Sequence, residues 1–277
     1  MRLRILEYLS EHGISFYIPD YNAVYLFTII LVILLSTYSA TKKNYSAFKF
    51  LGLTLLAALF GIVGARIYAV ILDILQFHYF PSLKEIVASH KTGSFGFYFG
   101  GFFGVLLISS YFKFDKKKVL DIYAPFLALS LILGRTGCFL SGCCYGKISK
   151  IPWAVSFPPP TLVFQKQRLA GLVTPFDTSS LPVHPTQLYE VFVGLALFII
   201  LLIIKKRIKI NGIQIVLFFL IYSFFRFLIE FLRADNFPFL GIFSFAQFLS
   251  IIIFLISLAY LYKFSLKNSK NAIYGTC

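Results

Sequence analysis

Arg66, Arg135 and Arg226 each lie inside a long apolar stretch of this 277-residue chain. An arginine at the centre of a membrane span costs about 2.5–3.5 kcal/mol on insertion scales, and it cannot lose its proton to avoid that cost. The acids that would pair with them in a purely structural role are Asp73, Glu190 and Glu230. Three such cations in a chain with only 13% charged residues favour a site for an anion. In a membrane, the anion that arginine holds through parallel hydrogen bonds is a phospholipid phosphate.

The segment 134–146, GRTGCFLSGCCYG, surrounds Arg135 with glycines. Glycine lets a backbone turn sharply and approach a ligand closely, and it leaves amides available to an anion. Gly142 and Gly146 are therefore predicted to hold a loop close to a lipid headgroup. A helix-packing motif of small residues is the alternative interpretation of the glycines.

The same segment carries Cys138, Cys143 and Cys144. Buried cysteines usually pack as small apolar side chains, which is the first interpretation. A redox pair of Cys138 and Cys143 stays open, because a loop broken by glycine could bring together sulfurs that a helix would separate. The spacing matches no zinc motif, so no metal site is expected.

Two further segments carry polar side chains at the ends of apolar runs. HPTQLYE at 184–190 begins a predicted helix at the water interface, since proline favours the first helical turn. Its polar members are His184, Gln187, Tyr189 and Glu190. His184 is either a proton carrier near neutral pH or a polar anchor.

YSFFRFLIEFLRAD at 222–235 places Arg226 and Glu230 four residues apart, on one face of a helix. Arg233 follows seven residues after Arg226, and it is predicted to share that face. Charged side chains within so apolar a helix must point into a bundle or a cavity. A structural ion pair is the alternative to a site here as well.

The elements that position these residues are membrane spans. The chain is 58% hydrophobic, and a span needs about 20 apolar residues. The sequence predicts an all-α polytopic membrane protein whose seven spans cover residues 22–40, 50–76, 94–112, 119–141, 188–204, 213–232 and 242–262. We treat 1–277 as one integral-membrane domain with a small cap over about 142–187.

The net charge of +15 is mainly a topology signal. Basic residues concentrate in the short loops after spans one, three, five and seven, which the positive-inside rule places in the cytoplasm. The N-terminus is then outside and the cap extracytoplasmic, in the cytoplasmic (inner) membrane of a bacterium. Because the cytoplasmic loops account for most of the net positive charge, that charge does not indicate a nucleic-acid partner.

Three motifs in series resemble the prolipoprotein diacylglyceryl transferase family: G-R-x-G-x-F-x-x-G at 134–142, H-P-x-Q-L-Y-E at 184–190 and F-R-x-x-x-E-F-x-R at 225–233. The resemblance covers about residues 20–262. It implies transfer of the diacylglyceryl group of phosphatidylglycerol, or another anionic phospholipid, to the thiol of a prolipoprotein lipobox cysteine. It does not imply a metal or organic cofactor.

The resemblance assigns residues to roles by motif position. It places the essential arginines at Arg135 and Arg226, with Glu230 as the orienting acid. The remaining substrate contacts are Arg66, Gly100, Gly101, Cys138, Gly142, Cys143, Gly146, His184, Gln187, Tyr189, Glu190 and Arg233.

The chain departs from the family pattern at two places. The family histidine before Gly-Gly is replaced by Phe99, and the nearest histidine is His90. Cys138, Ser141 and Cys143 stand where the family has asparagines and a glutamate. Three alternatives therefore stay open: a transferase with another lipid or thiol acceptor, a membrane thiol-redox protein, and a non-catalytic lipid-binding protein.

Overall fold

The computed structural model describes residues 21–77, 80, 82, 94–208, 210–234, 238–240 and 243–274. This part of the chain is all-α, apart from a two-stranded antiparallel ribbon. Its helices are α1 (Tyr21–Thr41), α2 (Ala47–Phe77), α3 (Ser94–Tyr111), α4 (Lys116–Ser141), α5 (Leu162–Leu169), α6 (Thr186–Arg207), α7 (Ile213–Glu230) and α8 (Phe245–Tyr274). Its strands are β1 (Pro238–Leu240) and β2 (Phe243–Ser244). The N-terminal tail, most of the predicted loop 77–93 with His90, and Cys277 lie outside the described residues.

A helix lies at each of the seven predicted spans, and six of these helices are long and apolar enough to cross a membrane. The six are α1, α2, α4, α6, α7 and α8, whereas α3 is apolar but shorter. Large apolar side chains point outward from the bundle: Leu34, Ile67 and Leu255 are 61%, 56% and 56% exposed. Such faces suit lipid rather than water, and the chain is a multi-pass membrane protein.

Helices α2 and α3 approach each other through glycines. A Cβ atom added to Gly64 would lie 2.3 Å from the carbonyl oxygen of Gly96, and one added to Gly100 would lie 2.2 Å from that of Phe60. Between lipid-exposed helices, close backbone contact of this kind supplies the dispersion attraction that holds them together. Gly100, which the family resemblance assigns to the substrate, lies in this helix contact. The nearest atom to a Cβ on Gly101 would be the Ala57 carbonyl oxygen at 3.7 Å.

Asp121 of α4 fixes the start of α7. Its carboxylate accepts hydrogen bonds from the backbone amides of Gly212 at 2.6 Å and Ile215 at 3.1 Å, and the side chain is buried. Gly212 has a φ of 92°, in the left-handed region that favours glycine. A carboxylate from a neighbouring helix thus does the work of an N-cap. It sets the axial position of α7 relative to α4, and these two helices carry Arg226 and Arg135.

The segment between α4 and α6 contains short antiparallel bridges and a small buried core of its own. Val183 pairs with both Ile148 and Val155 in isolated antiparallel bridges, and Phe157 and Val163 form a small buried core with it. An exposed turn lies within this segment, where the amide and hydroxyl of Thr174 donate to Asp177 at 2.5 and 2.9 Å. These bonds hold the pKa of the Asp177 carboxyl below its usual range.

Candidate active site

Five charged side chains form one buried ion-pair network, which we call the arginine–glutamate cluster: Arg135, Glu190, Arg226, Glu230 and Arg233. Arg135 Nε lies 2.8 Å from Glu190 Oε2, and Arg226 Nη1 lies 2.5 Å from Glu230 Oε2. Arg233 contacts both acids at 3.6 Å, and Arg226 lies 3.9 Å from Glu190 Oε1. The cluster joins residues from α4, α6 and α7 with the turn that follows α7.

All five side chains of the cluster are nearly excluded from solvent, none being more than 9% exposed. Within these five side chains the three arginines outnumber the two glutamates, which gives the cluster one positive charge in excess. The buried Nε of Arg226 also has no hydrogen-bond acceptor among the described residues. Buried charges are stable only when paired and hydrogen-bonded, so this arrangement has capacity for one more anion.

Arg226 and Glu230 form the ion pair expected from their i, i+4 spacing, but Arg233 does not lie on the same helix. The helix α7 ends at Glu230, two residues before the predicted end of the span. Arg233 lies in the following turn and reaches the cluster from there, held by a backbone bridge to Gly146. The prediction that all three residues share one helix face is therefore wrong for Arg233. Arg226 and Glu230 lie on α7, and Arg233 lies beyond its end.

Ser244 supports Glu230 and was not predicted from the sequence. Its hydroxyl donates to Glu230 Oε1 at 2.9 Å, while it also accepts from the Gln247 amide at 3.2 Å. In return, Gln247 Oε1 accepts from the Ser244 amide at 2.9 Å. This reciprocal capping box starts α8, and the S-x-x-Q pattern before an apolar run is the signal that would have found it.

The start of α6 holds the cysteine loop. Gln187 Nε2 donates to the carbonyl oxygen of Cys143 at 2.7 Å, and Thr186 Oγ1 donates to that of Cys144 at 2.8 Å. Gln187 thus anchors the loop, and the contact with substrate predicted for it stays a prediction. Gly142 ends α4 with a φ of 68°, which sends the loop back across the helix end.

The thiol of Cys144 lies close to two other thiols and is influenced by two arginines of the cluster. Hydrogen bonds from Cys138 and Cys143 hold its pKa well below the usual value, and Arg233 and Arg135 act in the same direction against the effect of burial. None of the three cysteines is in a disulfide. The structure therefore brings together the sulfurs of residues that the sequence placed five and six positions apart.

Gly146 lies where two backbone segments cross. Its amide donates to the carbonyl of His184 at 2.9 Å, and the amide of Lys147 donates to that of Leu232 at 2.8 Å. A Cβ on Gly146 would lie 2.5 Å from the His184 Cβ and 2.7 Å from the Leu232 carbonyl oxygen. Only glycine fits here. The segment that crosses Gly146 at Leu232 continues directly to Arg233.

His184 and Tyr189 form a second polar group at the start of α6. The Tyr189 hydroxyl lies 3.2 Å from His184 Nδ1 and accepts from Trp153 Nε1 at 2.8 Å. His184 is partly buried and Trp153 is 61% exposed. Glu190 of the cluster follows Tyr189 directly in the chain.

Arg66 lies on α2, partly buried, on a different element from the cluster. Tyr68, two positions later, packs against the rings of Phe95 and Phe245 at 6.2 and 5.7 Å. The guanidinium of Arg226 lies 5.8 Å from the Phe95 ring. The region of α2 around Arg66 thus approaches the cluster through one layer of aromatic rings.

Comparison with known proteins agrees with this buried cationic site in a membrane bundle. The family model described as prolipoprotein diacylglyceryl transferase matches residues 11–263. The chain belongs to this family. It is therefore a multi-pass membrane transferase, and the resemblance seen in its three motifs is confirmed.

Curated members of the prolipoprotein diacylglyceryl transferase family align over most of the chain. A phosphatidylglycerol–prolipoprotein diacylglyceryl transferase of Clostridium tetani is 29% identical over 89% of this chain and 92% of its own length. A second enzyme so named, from Clostridium perfringens, is 31% identical over 81% and 82%. A third, from Geobacter sulfurreducens, is 32% identical over 71% of both chains.

Proposed function

We propose that this chain transfers the diacylglyceryl group of phosphatidylglycerol to the thiol of a lipobox cysteine in prolipoproteins. The observation that carries the proposal is the buried arginine–glutamate cluster with its single excess positive charge. A phosphodiester headgroup carries one negative charge, so it would neutralise the cluster. The names of the family relatives point to the same lipid and the same acceptor.

The reaction forms a thioether and breaks one carbon–oxygen bond. The acceptor thiolate attacks the terminal glycerol carbon of the diacylglyceryl group, and the phosphate oxygen leaves with the bonding electrons as glycerol phosphate. The thiol proton passes to solvent or to a nearby base. Charge therefore develops on the phosphate in the transition state, where fixed donors in a dry site stabilise it best.

Within this proposal the charged residues have separate tasks. Arg135 and Arg226 hold the phosphate and stabilise the developing charge, while Glu230 orients Arg226. Glu190, paired with Arg135 at 2.8 Å, spaces the arginines and prevents their mutual repulsion from opening the cluster. Arg233 adds a third donor, and positive charge near the acceptor thiol favours its thiolate form.

We also propose the topology that brings lipid to the site. The helix α3 completes seven spans with α1, α2, α4, α6, α7 and α8, with the N-terminus outside and the C-terminus in the cytoplasm of a bacterium. The segment 142–187 is then an extracytoplasmic cap. Lipid enters laterally between helices of the inner membrane, since its acyl chains cannot leave the bilayer.

The test is transfer by the purified chain in bilayer discs containing phosphatidylglycerol, with a synthetic lipobox peptide as acceptor. Mass spectrometry of the peptide should show the added diacylglyceryl group. Arg226→Ala should abolish the addition, whereas Arg168→Ala, which changes an exposed arginine of α5, should leave it unchanged. Lipid that modifies a small free thiol but not the peptide would instead indicate another acceptor. Headgroup binding without turnover would refute catalysis.

Growth provides a second test in cells. Expression of the chain should restore lipoprotein modification in a strain depleted of its own transferase, and Arg226→Ala should not. If the chain restores nothing while being present in the membrane, prolipoproteins are not its acceptors.

A further inference from the structure

Three cysteine sulfurs converge at the end of α4. The Sγ atoms of Cys138, Cys143 and Cys144 all lie within 4.8 Å of one another. Cys138 is buried, and the other two are partly buried. Contacts with substrate were predicted for Cys138 and Cys143, but the transfer reaction proposed above gives none of the three sulfurs a chemical step.

The backbone, rather than the thiols, creates this convergence. The amide of Cys143 donates to the carbonyl of Cys138 at 3.1 Å as the helix ends, and Cys144 adopts a φ of 57°. Such a φ is strained for a residue with a side chain and persists only where its surroundings impose it. Here Gln187 and Thr186 of α6 impose it by binding the two loop carbonyls. The sulfurs are therefore placed in advance of any ligand.

The spacing and chemistry of the sulfurs match a thiolate metal site. Three sulfurs bound to one ion at about 2.3 Å lie roughly 4 Å apart, so the observed cluster needs only small side-chain rotations to close on an ion. Thiolates select soft ions, among which Cu(I) and Zn(II) are the closed-shell cases. In the described part of the chain, no histidine, aspartate or glutamate joins the three cysteines. A three-sulfur site with an open position results.

Two cations of the arginine–glutamate cluster act on one of the three sulfurs. Arg135 and Arg233 both act electrostatically on Cys144. The site would border the arginine–glutamate cluster without sharing a side chain with it.

We propose that Cys138, Cys143 and Cys144 bind one thiophilic metal ion, Cu(I) or Zn(II), through three thiolates. Binding forms three metal–sulfur bonds and releases the thiol protons to solvent. The ion links the end of α4 to the loop that α6 anchors, beside Arg135. The ligands are side chains outside the arginine–glutamate cluster, so metal binding can be measured separately from transfer.

Metal binding by the full chain in detergent tests the proposal in the absence of lipid and acceptor peptide. Under anaerobic reducing conditions, Cu(I) or Zn(II) is added separately, and the metal that stays bound after desalting is counted by mass spectrometry. We expect one ion per chain for at least one metal, and an affinity at least tenfold lower in Cys138→Ser and Cys143→Ser. Cys277→Ser is the matched control and should bind as the unaltered chain does.

Two results would overturn the metal site. One is the failure of both ions to bind, and the other is binding that survives Cys138→Ser or falls equally in Cys277→Ser. A variant that does not fold is replaced by a measurement on the unaltered chain, in which bound metal should protect Cys138, Cys143 and Cys144 from alkylation, but not Cys277. Equal alkylation of all four cysteines with and without metal would contradict the proposal.

Discussion

Arg135 and Glu190 form a 2.8 Å ion pair that joins the last turns of α4 to the first turns of α6. Glu190 is also within 4 Å of Arg226 and Arg233, so one carboxylate faces all three arginines of the cluster. Removal of one partner from a buried ion pair costs about 3–5 kcal/mol, because the other charge stays buried without compensation.

Glu190→Gln should therefore be the most damaging conservative change in the cluster. It raises the excess positive charge from one to two at nearly constant volume. We expect the free energy of unfolding of the detergent-solubilised chain to fall by about 3–5 kcal/mol. The rate of diacylglyceryl transfer should fall at least 100-fold. The matched control is Asp177→Asn, an exposed acid bonded to Thr174, for which transfer should be unchanged. A stable and active Glu190→Gln variant would remove Glu190 from the site.

Arg226→Lys should show that the shape of the guanidinium matters as well as its charge. Arg226 already pairs with Glu230 through Nη1, and its Nε is directed to no acceptor in the described residues. Lysine keeps the charge, but a single ammonium cannot serve both the acid and a phosphate in the same geometry. We expect kcat/KM to fall about 100-fold with a small change in melting temperature, whereas Arg168→Lys should change neither. Unaltered kcat/KM would mean that charge alone suffices.

Ser244→Ala tests the support of Glu230. The change removes the hydrogen bond to the carboxylate and the cap of α8, which together contribute about 1–2 kcal/mol. Transfer should fall several-fold as Glu230 loses its orientation. Ser244→Thr keeps the hydroxyl and should restore most of the transfer rate, so a rate that stays low in Ser244→Thr would point to packing instead of the hydrogen bond.

Gly146→Ala tests whether the close backbone contact at Gly146 positions Arg233. The added Cβ meets the His184 Cβ at 2.5 Å and the Leu232 carbonyl at 2.7 Å, so backbone must move. We expect loss of transfer and a lower melting temperature. Gly134→Ala is the matched control, since nothing lies within 4 Å of its added Cβ and alanine favours a helix by about 1 kcal/mol. Equal damage from both changes would contradict this account of Gly146.

Local and periodic features were predictable from the sequence. The apolar runs predicted seven helices, and a helix lies at each of them. The spacing of Arg226 and Glu230 predicted a shared helix face, and they form an ion pair. Both predictions depend only on residues near one another in the chain.

Contacts between distant segments were not predictable in this way. Asp121 binds amides 91 and 94 residues away, so no local pattern reveals its role. Glu190 was among the acids predicted to pair with a buried arginine, but which arginine it meets depends on how α4 and α6 pack. The cysteines converge because Gly142 and Cys144 adopt left-handed backbone conformations, which spacing alone does not indicate.

The single excess positive charge of the cluster has a consequence for turnover. A bound phosphodiester would make the site neutral, but the phosphate monoester that leaves carries close to two negative charges at neutral pH. The same five side chains would then hold an excess negative charge away from solvent. Product is thereby expelled from the site that attracted the substrate, so product inhibition should be weak.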